Sequence, residues 1–212
     1  MSHLPIDHSD VPIRLFKSDF MEFFSHISPL AVLIIWLPIS VFFFIRSLVL
    51  SPAEEFPWHI PLGFLAGLVI WTLSEYLLHR FVFHFPAKGE RMQRVTFLFH
   101  GIHHAQPQIK TRLVMPPVVS IPLAALFFGL FYLIIVVVFK AALWFDPIFS
   151  AFILGYLIYD LTHYATHHFP MRSGYLKFIK RYHMQHHYKT PDRRYGVSSP
   201  LWDYVFRTKP AE

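Results

Sequence analysis

Histidine is the residue type in this chain best suited to chemistry, because 11 of its 15 copies fall into four short clusters. The clusters run His79 to His84, His100 to His104, His163 to His168 and His183 to His187. Neutral imidazole is the commonest metal ligand in proteins. A single histidine is more often hydrogen-bonded in a core, but four clusters indicate a metal centre.

The spacing within the clusters predicts which histidines act together, because residues three and four apart share a helix face. Three such faces are His100 with His103 and His104, His163 with His167, and His183 with His186 and His187. His79 and His84 are five apart, about 140° around an ideal helix, so they converge only if the helix ends or bulges between them. Pro86 favours an ending helix. His168 falls off the face of its neighbours, and we leave it outside the set.

Ten imidazoles in this pattern predict two metal ions that share the set. The predicted ligands are His79, His84, His100, His103, His104, His163, His167, His183, His186 and His187. All-imidazole sites suit zinc, copper, iron or nickel, so ligand type does not choose the metal. The chain has no cysteine, which excludes iron–sulfur clusters and thiolate ligation. A zinc-protease His-Glu-x-x-His motif is also absent.

Two divalent ions held by neutral ligands need acidic groups nearby. Glu75 precedes His79 by four residues, and Asp160 precedes His163 by three. Each carboxylate therefore shares a helix face with its histidine. Both are candidates to orient the ligands and balance their charge. The alternative is that each is solvated at the end of a membrane span.

Long uncharged stretches must position these histidines, since 54% of the residues are hydrophobic and only 15% are charged. The stretches are Phe23–Ile45, Phe56–Ser74, Leu113–Phe139 and Ala141–Tyr159. About 20 apolar residues cross a bilayer as a helix. The fourth stretch is shorter, because Asp146 and Pro147 are typical of an N-cap and a first helical residue. We predict an all-α integral membrane protein, one domain over residues 1–212, with four spans in two hairpins.

Lysine and arginine predict the orientation, since they concentrate in the loop between the second and third stretches and in the tail after the fourth. Both termini and the metal site, carried by a helical cap, are then cytoplasmic. The membrane is the endoplasmic reticulum in a eukaryote or the inner (plasma) membrane in a bacterium. The net charge of +6 suits lipid phosphates better than nucleic acid. Lys177, Lys180 and Arg181 could dock an acidic carrier, and lipid head groups explain them equally well.

A metal site at the inner membrane edge meets acyl chains or sterols. Zinc would indicate hydrolysis and iron would indicate oxygen chemistry. A C–H bond in an acyl chain offers nothing to hydrolyse. Attack on such a bond needs activated oxygen and electrons.

Several motifs resemble the fatty acid hydroxylase superfamily, most closely its 2-hydroxylase branch without a cytochrome b5 domain. They are Glu75 to His84, His100 to His104 running on to Arg112–Pro117, Tyr159 to His168, Tyr182 to Lys189 and Gly196 to Phe206. The histidine motifs are shared with sterol desaturases and carotene hydroxylases. The Arg112–Pro117 and Gly196–Phe206 stretches favour the 2-hydroxylase branch.

The resemblance implies a four-span membrane oxygenase whose ten histidines ligate two iron ions, with zinc able to occupy the site in purified protein. It implies molecular oxygen as oxidant and hydroxylation at C2 of a long-chain acyl group, of the kind found in ceramide and other sphingolipids. The sequence lacks the His-Pro-Gly-Gly haem motif that some members carry. Electrons are therefore expected from a separate donor, such as a cytochrome b5 or a ferredoxin with its reductase.

Two positions depart from the family's usual sequence pattern, and they bear on the identity of the substrate more than on the metal site. Gln108-Ile109-Lys110 stands where many members carry an acid, and Arg207 stands where glycine is usual. Two other functions stay open at this point. The same centre could oxidise a sterol or carotenoid by hydroxylation or desaturation, or the chain could be a non-catalytic membrane protein that binds or transports metal.

Overall fold

The computed structural model describes residues 6–52 and 56–210, and every regular element in those ranges is helical. The α-helices are α1 (Asp19–Phe23), α2 (Pro29–Val49), α3 (His59–Leu77), α4 (Glu90–Thr96), α5 (Ile102–Ala105), α6 (Pro117–Phe131), α7 (Ala142–His168), α8 (Gly174–Tyr188) and α9 (Leu201–Val205). Wider π-helical turns continue three of the helices, over Leu78–Phe83, Phe97–Gly101 and Tyr132–Val138. A short 3₁₀ turn spans Lys110–Arg112.

Four helical stretches are long and apolar enough to cross a membrane. They are Pro29–Val49, His59–Phe83, Lys110–Val138 and Ala142–His168. Each overlaps one of the four uncharged stretches, so the prediction of an all-α chain with four spans is confirmed. The first span begins at Pro29 and not at Phe23, because Asp19–Phe23 forms the separate short helix α1. Proline suits the first turn of a helix, where its missing N–H is not needed.

The predicted start of the fourth span is wrong. Helix α7 begins at Ala142, so Asp146 and Pro147 lie inside it. Asp146 is buried and pairs with Arg46, whose Nε lies 3.1 Å from the aspartate Oδ2. The carboxylate thus balances a cation instead of capping a helix. With 27 residues, α7 is about 40 Å long. That length exceeds the roughly 30 Å hydrocarbon core of a bilayer.

The chain forms two compact units, of which one comprises residues 29–71 and 115–158. Its helices approach closely where side chains are small, as is usual in membrane proteins. Ser40 and Ser150 each donate a hydroxyl hydrogen bond to the other's backbone carbonyl, at 2.9 and 2.8 Å. Gly67 lies so near α7 that a Cβ there would be 2.3 Å from the carbonyl oxygen of Ile148. The backbones themselves are therefore in contact.

The other unit comprises residues 6–28, 72–114 and 159–210 as described here, and it contains all ten predicted ligands. Its N-terminal segment is largely irregular and depends on side chains for hydrogen bonds. The Gln106 side chain accepts from the Ile13 amide at 2.9 Å and donates to Asp7 at 2.7 Å. The Arg112 guanidinium donates to the Ile13 carbonyl and pairs with Glu22. These hydrogen bonds and the ion pair hold the N-terminal segment against the residues that follow His104.

We expect Gly67→Ala to destabilise the protein by about 1–3 kcal/mol, because the new methyl group overlaps a backbone carbonyl that cannot move without its helix. Thermal unfolding of the detergent-solubilised protein measures the effect. Gly129→Ala is the matched control, since a Cβ there meets no heavy atom within 4 Å. An unchanged melting temperature for Gly67→Ala would mean that the two helices are not in backbone contact.

Candidate metal centre

The ten predicted histidines lie together in two groups of five. The His79 group is His79, His84, His100, His104 and His186, and the His103 group is His103, His163, His167, His183 and His187. Within each group one ligand nitrogen from every residue lies within 4.8 Å of the others. All the rings are buried except that of His167, which is partly buried. His168 belongs to neither group, and its ring packs on Tyr164 at 4.6 Å.

A local change of helix type brings His79 and His84 together. Over Leu78–Phe83 the helix widens, and the His84 amide donates to the His79 carbonyl five residues back, at 3.0 Å. One turn of a π-helix has this i→i+5 bond, so residues five apart face the same side. The ring centroids are 4.9 Å apart. Of the two alternatives that the spacing left open, an ending helix and a bulge, the structure has the bulge between His79 and His84.

The two triplets, each predicted to form one helix face, divide between the two groups. His100 and His104 join the His79 group while His103 joins the other. Successive residues of a helix point about 100° apart, so adjacent histidines aim at different sites. His186 and His187 separate in the same way. These two segments each serve both groups, whereas the first and third clusters each serve one.

The nitrogen positions fit bound metal ions. Within the His79 group, Nε2 atoms lie 3.0–3.1 Å apart between His79 and His100, His100 and His104, and His84 and His186. In the His103 group the corresponding pairs lie 2.9–3.1 Å apart. Ligands about 2.1 Å from one metal and at right angles to each other are about 3.0 Å apart. Each group therefore has the spacing of nitrogens around one ion.

Backbone carbonyls fix the ring orientation of two histidines. His79 Nδ1 lies 2.5 Å from the Tyr195 carbonyl oxygen, and His186 Nδ1 lies 2.6 Å from that of Arg193. A carbonyl only accepts, so each Nδ1 carries the proton and each Nε2 keeps its lone pair for a metal. Within the described structure the buried Nδ1 atoms of His84, His183 and His187 have no protein partner.

The predicted carboxylates are buried, but Glu75 acts at a distance from the rings. It accepts hydrogen bonds from the backbone amides of Val197 and Ser198, at 2.6 and 2.8 Å, and from the Ser198 hydroxyl. It thus holds the loop that follows Tyr195. Asp160 is 1% exposed on α7. Charge balance by these two residues stays a prediction.

Sequence reasoning missed Asp203 as a site residue. Its carboxylate is completely buried and accepts hydrogen bonds from the amides of Tyr195 and Gly196, at 2.9 and 2.7 Å. The signal was present, because Asp203 lies in the Gly196–Phe206 stretch that carries the resemblance. The Gly196–Phe206 stretch favours the 2-hydroxylase branch, but the sequence alone assigns no role to Asp203.

Burial is the main cause of the electrostatic state of the centre. It lowers the pKa of His84, His100 and His103, and neighbouring imidazoles lower it further. The same two causes lower the pKa of His104, His183, His186 and His187. These rings are therefore neutral at pH 7, which is the form that binds metal.

Comparisons with known proteins agree with the geometry. The sequence model of the family described as fatty acid hydroxylase matches residues 64–208. Dihydroceramide fatty acyl 2-hydroxylase FAH2 of Arabidopsis thaliana is 38% identical over 208 residues, which cover 98% of this chain and 84% of the relative. Fatty acid 2-hydroxylase of Homo sapiens is 35% identical over 97% of this chain and 58% of the relative.

A solved structure is also similar. It is full-length scs7p, of which only the hydroxylase domain is visible. It matches this chain with a TM-score of 0.81 and 33% identity, covering 91% of this chain and 70% of the other. The likeness therefore extends from sequence to the arrangement of helices.

We expect the metal-loaded protein to keep its ions above about pH 6.5 and to lose them as the pH falls to 5. The folded centre lowers the histidine pKa values, whereas an unfolded chain takes up protons below about pH 6.5. Stability and occupancy are therefore complete above that pH and decrease below it. Metal content after dialysis at each pH, with the melting temperature alongside, measures both.

The matched control for this titration is His8→Gln, which changes an exposed histidine outside both groups. Its metal-content profile should superimpose on that of the unmodified protein. Full metal content at pH 5 together with an unchanged melting temperature would contradict an all-histidine centre.

Proposed function

Because this chain belongs to the fatty acid hydroxylase family, we propose that it is an oxygenase that hydroxylates C2 of a long-chain fatty acyl group in a membrane lipid. The observation that carries the proposal is the pair of five-histidine groups with Nε2 atoms 2.9–3.1 Å apart. Such a set suits two metal ions, one for each group.

Iron is the proposed metal, with five histidines of one group for each ion and zinc as an expected substitute in purified protein. When bound, the two irons would activate molecular oxygen for attack on an acyl C–H bond, using electrons from an external donor. A hydrolytic role would require a bond to hydrolyse, and C2 of an acyl chain offers none.

The protein's own residues prepare the centre for this chemistry. His79 and His186 hold their protons at Nδ1 and direct Nε2 lone pairs inwards. Burial of the rings keeps bulk water from the reacting region. Glu75 and Asp160 are proposed to offset the positive charge of the ions, since each is buried and lies within one helical turn of a ligand.

The proposed substrate is an acyl group of the ceramide or sphingolipid type. The Arabidopsis relative is a dihydroceramide fatty acyl 2-hydroxylase, and the alignment with it covers 98% of this chain. An acyl chain in a bilayer is also the substrate that a protein with four membrane-crossing helices meets directly.

The reaction must balance. Insertion of one oxygen atom from O₂ into a C–H bond consumes two electrons and two protons and releases water. We propose that a separate carrier, such as a cytochrome b5 or a ferredoxin with its reductase, supplies the electrons.

The excess of lysine and arginine in the loop before Leu113 and in the tail after Tyr159 favours a cytoplasmic position for both termini and for the metal centre. The proposed location is the endoplasmic reticulum membrane in a eukaryote and the inner membrane in a bacterium.

Mass spectrometry of acyl lipids from cells that express the chain tests the function. We expect acyl chains one oxygen heavier, with the hydroxyl at C2, and a loss of at least tenfold in His186→Ala, because that ring is a proposed ligand and also holds the Arg193 carbonyl. His168→Ala should retain the product, since His168 lies outside both groups.

Other outcomes of the same measurement are informative. A hydroxyl at another carbon would overturn the C2 assignment and leave the metal centre intact. An oxidised sterol or carotenoid would change the substrate class. Metal flux across the membrane with unaltered lipids, when an electron donor is supplied, would replace catalysis by metal transport.

A further inference from the structure

One irregular segment supports the His79 group from outside. Residues 193–198 form no helix, yet two of their carbonyl oxygens accept hydrogen bonds from ring nitrogens. Arg193 accepts from His186, and Tyr195 accepts from His79. Both of these histidines belong to the same group of five.

Asp203 fixes the peptide group at the centre of this segment. The Tyr195 carbonyl and the Gly196 N–H belong to one planar peptide, and no cis peptide occurs in the described chain. The carbonyl oxygen accepts from His79 at 2.5 Å, while the N–H donates to Asp203 Oδ2 at 2.7 Å. A carboxylate on the N–H side polarises a peptide and makes its oxygen a stronger acceptor. The charge of Asp203 thus acts on the His79 ring through a single peptide group.

The fit around this peptide is tight. Asp203 Oδ1 also accepts from the Tyr195 amide at 2.9 Å and from the Thr208 hydroxyl at 2.6 Å. Glycine is required at position 196, because a Cβ there would lie 2.0 Å from the Ser199 carbonyl oxygen. Asp203 therefore cannot shift its contacts without moving the carbonyl that His79 uses.

Outer support is unequal between the two groups. In the described structure the Nδ1 atoms of His183 and His187 in the His103 group are buried without a protein partner, as is that of His84 in the His79 group. Two other rings of the His79 group, those of His79 and His186, donate to backbone carbonyls. A hydrogen bond from the second ring nitrogen orients a ligating histidine and increases its basicity. The two groups therefore differ in how firmly their ligands are held, although each has five imidazoles.

We propose that Asp203 is a positioning residue for the His79 group alone, and that this group binds its metal ion more tightly than the His103 group does. The carboxylate acts through the Tyr195–Gly196 peptide on His79 and fixes the segment that holds His186. The inference rests on the proposed ten-histidine metal set and is independent of the proposed substrate.

The first experiment uses the unmodified protein in detergent, loaded with Co²⁺. A chelator titration, followed by cobalt absorption and metal analysis, should remove two ions in two steps. His183→Ala should lose the ion that leaves first, and His79→Ala the ion that leaves second. Release of both ions in one step, or the reverse assignment, would overturn the proposal. Fewer than two ions in the loaded protein would instead refute the metal set.

The second experiment tests Asp203 itself. Asp203→Asn preserves size but removes the charge and one acceptor. We expect its affinity for the tightly held Co²⁺ to fall 10- to 100-fold, as is typical when an outer partner of a ligand is lost, with the other ion unchanged. Asp10→Asn is the control, because Asp10 is an exposed carboxylate outside both groups. Equal weakening of both ions, or none, would contradict a positioning role.

A double variant separates positioning from general destabilisation. In His79→Ala the ring that receives the effect is missing, so adding Asp203→Asn should not lower the remaining ion's affinity further. Further loss of the remaining ion would show that Asp203 merely stabilises the fold. If Asp203→Asn does not fold, the two-step release from the unmodified protein still decides whether the groups differ.

Discussion

The convergence of ten imidazoles, nine of them buried and that of His167 partly buried, is the constraint on which the rest of this structure depends. Nε2 atoms about 3 Å apart and removed from water have few favourable partners, because neutral rings cannot all donate to one another. A cation bound within each group would resolve the conflict and would fit the geometry of both groups. Metal binding and the stability of this unit are then coupled, since the unfolded chain holds no such preformed site.

The backbone is adapted to this convergence in two ways. Where two predicted ligands are five residues apart, the helix takes a π-helical turn. Such turns are rare, and this one brings the His79 and His84 rings to the same side of the helix. Where ligands are adjacent in sequence, the 100° step of an α-helix sends them to different groups. Two candidate metal sites therefore come from four short helical segments, with two of the segments common to both.

A second layer, built from the C-terminal part of the chain, decides how firmly the ligands are held. Glu75 and Asp203 are buried carboxylates whose acceptor capacity is used largely by backbone amides of residues 195–198. The Tyr195 carbonyl then accepts from His79, and the Arg193 carbonyl, two residues earlier, accepts from His186. Consecutive hydrogen bonds join the Asp203 carboxylate, the Tyr195–Gly196 peptide and the His79 ring. The charge of the carboxylate can therefore alter how strongly the ring binds a metal, although the carboxylate and the ring are not in contact.

The sequence by itself determined the class of molecule and the members of the site. Low charge and four long apolar stretches require membrane helices, because hydrocarbon tolerates little else. Histidine spacing selected all ten members of the two groups, omitted His168, and required the helix to end or bulge between His79 and His84. These inferences succeed because helical periodicity is a local property of the chain.

Only the tertiary structure decided how the ten divide and what supports them. The partition depends on where α8 lies against the segment containing His100, and periodicity within either helix carries no such information. The link from Asp203 to His79 joins residues 124 positions apart through a loop without regular structure. The start of α7 was mispredicted for the same reason, since the Asp146 that resembles a cap is paired with Arg46 from another helix. Local patterns identify which residues do chemistry, and long-range packing decides which of them act together.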